Sequence, residues 1–132
     1  RPLMQPLLVA LILAANPHLA QPLASDFAAH LTKLDPQVPA RIMEAMIYYE
    51  SEWHPNCRGA AGEVGLTQIH PCHHPPGGWT ARMDWSANHL AGLKAKGRTW
   101  EVALAAYNGG WGGRNYPQCK KYAKRVLRRA AK

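Results

Sequence analysis

Between Pro39 and Trp53 the apolar residues Ile42, Met43, Met46 and Ile47 return at intervals of three and four. That spacing gathers one side of an α-helix into a buried stripe. Trp53 continues the stripe three positions beyond Glu50, which lies on the stripe itself. Glu44 and Glu52 fall on other faces of the same helix, where a carboxylate is expected to be solvated. A chain with only eight acidic residues therefore places one of them, Glu50, on the oily face of this helix.

A stripe of this kind needs a core to bury it. With 132 residues, 47% of them hydrophobic, the chain can build one such core but hardly two independent ones, so a single domain over 1–132 is expected. Residues 3–15, 23–34, 39–53, 82–96, 99–108 and 118–130 read as helices. Pro39 suits a first helical turn. Thr99 suits an N-cap with Glu101 in the first turn behind it, and Gly109–Gly110 suits a helix end. Between Asn56 and Pro71 the pattern changes to "CRGAAGEVGLTQIHP", three glycines around a short β-prone run, which predicts an irregular β-hairpin beside the helices. The run "PLLVALILAA" near the N-terminus is too short to span a bilayer. It is expected to be a core helix; with Arg1 ahead of it, a signal-peptide core or an anchor is the alternative.

The net charge of +8 is unevenly placed. Residues 114–132 carry eight of the sixteen basic side chains and no acidic one, so residues 1–113 balance. A basic tail favours polyanions such as nucleic acid, anionic lipid or the acidic polymers of a bacterial envelope, and its alternative is a solvated helix face. Cys57, Cys72 and Cys119 make an odd number; a Cys57–Cys72 disulfide and free thiols are both open. The segment "HPCHHPP" matches no metal-ligand spacing, so no metal is expected.

The segment "ESEWHPNCRGAAGEVGLTQIHP", Glu50 to Pro71, resembles the signature of soluble-type lytic transglycosylases, a branch of the lysozyme superfamily. "ALAAYNGG" resembles that family's Ala-Tyr-Asn-Ala-Gly motif, "YAKRV" its final Tyr-x-x-x-Val helix, and "NHLAG" its Asn-x-x-x-Gly helix. These motifs cover residues 39–127, leaving residues 1–35 as an N-terminal helical extension. Thr67 stands where the family usually has Met, and Glu63 where a small residue is common. The resemblance implies a mainly α, lysozyme-like (α+β) fold: a helical bundle with one small irregular β-hairpin region lining a glycan-binding cleft.

It also implies chemistry. Glu50 occupies the position of the family's catalytic acid, in an apolar setting that raises a carboxyl pKa so that the group holds a proton for the glycosidic oxygen. Ser51, Gln68, Ile69, Tyr107, Asn108 and Tyr122 are the implied substrate-binding and orienting residues. Glu63 is the candidate second carboxylate that a hydrolysing lysozyme would need. The implied activity is cleavage of peptidoglycan between N-acetylmuramic acid and N-acetylglucosamine without a cofactor, leaving 1,6-anhydromuramic ends. The implied partners are glycan strands and, through the basic C-terminal helix, anionic wall polymers, with no nucleic acid expected; a phage or secretion assembly is a further candidate. The implied setting is extracytoplasmic. The rival functions are a nucleic-acid-binding module using the tail and an inert virion or secretion-system protein of the same fold.

Overall fold

The computed structural model describes residues 3–132; Arg1, expected as the charge ahead of the apolar run, lies outside the described residues. Six helices follow one another: α1 Met4–Ala15, α2 Gln21–Leu34, α3 Ala40–Ser51, α4 Trp79–Gly97, α5 Trp100–Gly109 and α6 Pro117–Ala130. Single 3₁₀ turns at Pro71–His73 and Trp111–Gly113 interrupt the connections. The architecture is mainly helical, and every expected helix is present with its ends moved by a few residues.

Helix α3 is the centre of the bundle. Ile42, Met43, Ala45, Met46 and Ile47 are all buried, so it is wrapped by neighbours instead of lying on a surface. Its start is held by Asp35, whose carboxylate accepts from the Ala40 N–H at 2.8 Å. The apolar N-terminal run forms α1 and packs on α2 as a core helix, burying Leu8 and Ile12 one turn apart. Helix α2 answers with Ala24, Phe27, Ala28 and Leu31, again at intervals of three and four. Each large apolar side chain fully buried in this way contributes about 1.5–3 kcal/mol. Asn16, in the turn between the two helices, donates from Nδ2 to the Trp53 carbonyl at 3.0 Å and ties the pair to the end of α3. No helix among the described residues is long and apolar enough to cross a membrane.

Two expectations about α3 change. The helix stops at Ser51 because Glu52 and Trp53 both turn into the left-handed region, with φ of 50° and 62°. Trp53 is consequently not on the helical stripe; the turn folds it back under the bundle, where it stacks on Phe27 at 5.5 Å. Glu44 is not solvated either. It is fully buried, receives a hydrogen bond from Trp53 Nε1 at 3.1 Å, and pairs with Arg129 of α6 through both carboxylate oxygens at 3.1 and 3.0 Å. The Arg129 guanidinium also covers the Tyr48 ring, 3.7 Å from its centroid. Helix periodicity placed Glu44 correctly off the main stripe, but α6 occupies the side on which solvent was expected.

The expected hairpin does not form. Among the described residues the 52–78 connection contains only two single bridges, Arg58 with Val64 and Val64 with Ile69. Gly62, Gly65 and Gln68 take φ of 87°, 82° and 52°, so the chain turns every three or four residues and no ladder can extend. The result is a tightly folded loop held by Gly59 N–H to the Glu63 carbonyl at 2.9 Å and Gly65 N–H to the Cys57 carbonyl at 2.9 Å. Gly59 leaves room for two side chains: a Cβ there would lie 2.7 Å from Gln68 Oε1 and meet the Glu63 carboxylate, so both ends would have to shift.

The last two helices close the bundle over α3. Thr99 caps α5 as expected, accepting from the Val102 N–H at 3.1 Å. Gly109 lets α6 approach, because a side chain there would collide with Cys119 Sγ. Helix α6 buries Cys119, Ala123 and Val126 and exposes Lys120, Lys121, Lys124, Arg125 and Arg128. All three cysteines are free thiols, so Cys57 and Cys72 are not bridged.

Candidate active site

Glu50 sits at the last turn of α3, half-buried, on a cleft of about 420 Å³. The folded loop contributes Glu63, Gln68, Ile69, His70, Cys72 and His73 to its walls, α4 contributes Trp85 and His89, and the end of α5 contributes Tyr107 and Asn108. The cleft thus brings together Glu50, Glu63, Gln68, Ile69, Tyr107 and Asn108, six of the eight residues expected at a site.

The Glu50 carboxyl is pushed up from 4.5 to about 7. Loss of hydration is the main cause; the hydrogen bond from Tyr122 opposes it, and the negative charge of Glu63 adds to it. That bond comes from the Tyr122 hydroxyl of α6 to Glu50 Oε2. Tyr122 is itself buried deeply enough that its phenol stays protonated well above the ordinary tyrosine range, reinforced by the carboxylate beside it. One oxygen of Glu50 is therefore held by a permanent donor while the group keeps a proton near neutrality. This is the electrostatic preparation a general acid requires.

Tyr107 serves the loop. Its hydroxyl donates to the Thr67 carbonyl at 2.8 Å and lies 3.1 Å from Ser86 Oγ, which in turn donates to Thr67 Oγ1 at 2.7 Å. The Tyr107 hydroxyl is thus committed to a buried Thr67–Ser86–Tyr107 network that locks the loop to α4 and α5. Thr67 contributes its own hydroxyl to this network as the acceptor for Ser86, which a side chain without an oxygen there would remove. Gln68 also points inward, donating from Nε2 to the Cys57 and Gly65 carbonyls at 3.0 and 2.8 Å. Its amide protons shape the loop, so what remains for a ligand is its carbonyl oxygen.

Ser51 does not belong to the cleft lining. It is buried, and its hydroxyl donates back to the Ile47 carbonyl at 3.3 Å. The Ser51 carbonyl receives the His54 N–H at 3.0 Å, so Ser51 anchors the turn after α3 and presents nothing to a substrate. Glu63, the candidate second carboxylate, does line the cleft, and its Oε1 accepts from the Ala61 N–H at 2.9 Å.

Sequence reasoning missed His73, Trp85, His89 and Ser86. Trp85 and His89 stand four residues apart on α4, a helical spacing visible beforehand, but nothing in the sequence said which face of α4 meets the cleft. Among the described residues no group of three or more His, Cys, Asp or Glu side chains is arranged to hold a metal ion. Comparison of the chain with protein-family models, with curated proteins and with solved structures returns no match.

Proposed function

We propose that this chain is a peptidoglycan-cleaving enzyme of the lytic transglycosylase type, with a lysozyme-like arrangement of its cleft and Glu50 as acid and base. The observation that carries this reading is the half-buried Glu50 carboxyl at the wall of a 420 Å³ cleft, held on one oxygen by Tyr122 and protonated up to about pH 7. The residues that resemble the soluble-type family supply the substrate class, N-acetylmuramic acid linked to N-acetylglucosamine.

The chemistry follows from the free oxygen of Glu50. Its proton passes to the glycosidic oxygen as the bond to the muramic C1 breaks, and the sugar leaves an oxocarbenium-like centre. The resulting carboxylate takes the proton of the muramic 6-hydroxyl, whose oxygen closes on C1. The products are a free N-acetylglucosamine 4-hydroxyl and a 1,6-anhydro ring, and Glu50 ends protonated as it began. Neither metal nor organic cofactor enters these steps. An extracytoplasmic setting, attachment to anionic wall polymers through α6, and membership of a phage or secretion assembly belong to the same proposal.

Glu63 favours a second reading, hydrolysis by a true lysozyme. It faces the same cleft, and it is fixed by the Ala61 N–H. A positioned carboxylate can orient water or stabilise the cation. The two readings part in one digest of purified peptidoglycan followed by mass spectrometry. Anhydromuramic ends with Glu63→Gln still active support the transglycosylase. Reducing muramic ends with Glu63→Gln dead support the lysozyme, and an intact wall after prolonged incubation removes both.

A further inference from the structure

Beside the carboxylates, the lining of the cleft includes a group of flat rings that the proposed chemistry leaves unused. Trp85 and His89 project from successive turns of α4 and stack at 4.8 Å with an angle of 27°. His73, from the 3₁₀ turn in the loop, leans on both, 5.0 Å from Trp85 and 5.5 Å from His89. His89 then lies 5.7 Å from the Tyr107 ring. The four rings form one continuous surface along the cleft that also holds Glu50. Among the described residues no Lys or Arg lines that cleft.

We propose that the Trp85–His89–His73 wall is a sugar-binding platform for an uncharged N-acetylhexosamine ring, the N-acetylglucosamine next to the bond that Glu50 cleaves; this rests on the reading of the cleft as a glycan-cleaving site. An indole face takes the apolar C–H face of a pyranose, and the imidazole nitrogens of His89 beside it can hydrogen-bond ring hydroxyls or an acetamido group. Burial, with His73 as a further cause, keeps His89 below its ordinary pKa and hence uncharged at neutral pH. Among the described residues no Lys or Arg lines the cleft to pair with a lactyl carboxylate at the platform, so the platform suits the neutral sugar of the pair.

The test uses the full chain carrying Glu50→Gln, which cannot turn over its ligand, titrated with chitotriose, an uncharged N-acetylglucosamine trimer. Saturable binding should move the Trp85 indole N–H resonance, identified by its loss in Trp85→Tyr. Adding Trp85→Leu should weaken binding about tenfold, the weight of one aromatic contact, while Trp85→Tyr, which keeps a ring, should stay within about threefold. Binding unaffected by Trp85→Leu, an unmoved indole resonance, or no saturable binding overturns the platform. Trp85-dependent binding by a protein whose unsubstituted form leaves peptidoglycan intact supports the platform and removes the enzyme. Cleavage by the unsubstituted protein with binding indifferent to Trp85 removes the platform and leaves the enzyme.

Discussion

Replacing Glu50 by Gln should make the protein more stable at alkaline pH while removing the proton donor of the proposed reaction. The folded chain holds the Glu50 proton up to about pH 7, whereas the unfolded chain releases it near 4.5. A carboxyl whose pKa is raised by folding leaves stability intact below about 4.5, loses it progressively as pH rises to about 7, and is constant above that. Each pH unit of that interval is worth about 1.4 kcal/mol, so ionised Glu50 costs the fold up to about 3 kcal/mol. Glutamine has the same shape, keeps an oxygen for the Tyr122 hydroxyl and never ionises. The stability gain of Glu50→Gln over the parent should therefore be near zero at about pH 4 and about 2–3 kcal/mol at about pH 8.5. Urea unfolding followed by circular dichroism at both pH values measures it, and the other titrating groups cancel because both proteins carry them. A difference that does not grow with pH by at least about 1 kcal/mol would refute the claim that burial of Glu50 opposes its ionisation. In a wall-clearing assay the same variant should lose at least about a hundredfold in rate, the usual weight of a general acid.

With Glu50 as the proton donor, kcat/KM should fall about tenfold per pH unit above about 7, and Glu63→Gln should shift that limb to lower pH, since the Glu63 charge helps hold the proton on Glu50; a limb that moves upward contradicts the assignment. Arg129→Ala should destabilise the chain by about 3 kcal/mol in urea unfolding, because it strands the buried Glu44 carboxylate; a loss below about 1 kcal/mol would show the pair to be dispensable. Neutralising Lys124, Arg125 and Arg128 should weaken binding to negatively charged walls at low salt and change little at high salt. Equal losses at both ionic strengths would rule out an electrostatic tether. Arg129 is left out of that set because it is committed to Glu44 and Tyr48.

Local pattern was enough for the helices. Apolar spacing, Thr99 and the glycines at 109 and 110 each act within one or two turns of the chain; Thr99 and the two glycines took the positions expected of them, whereas Pro39 precedes α3 as its N-cap and Trp53 leaves the stripe. The loop was less legible. Val64, Leu66, Thr67 and Ile69 form a short β-prone run, yet turn conformations at Gly65 and Gln68 cut it into pieces that pair only through single bridges. Those turns are stabilised from outside the segment, by Tyr107 and Ser86 on α5 and α4.

By itself the amino-acid sequence determined the helical elements, the odd placing of Glu50 on an apolar face, and the basic bias of α6, because each depends on residues close together in the chain. Only the tertiary structure decided that Glu44 is buried and Glu50 borders a cleft, although the two are six positions apart on one helix. Periodicity reports angle around an axis; whether solvent, α6 or a cleft lies at that angle depends on how the other helices pack. The same holds for Tyr122, 72 residues from Glu50 in sequence yet bonded to it, and for Trp85 and His73, which meet because the loop folds back on α4. A carboxyl becomes an acid of neutral pKa through the water it loses and the charges that surround it, and those are set by contacts between segments distant in the chain.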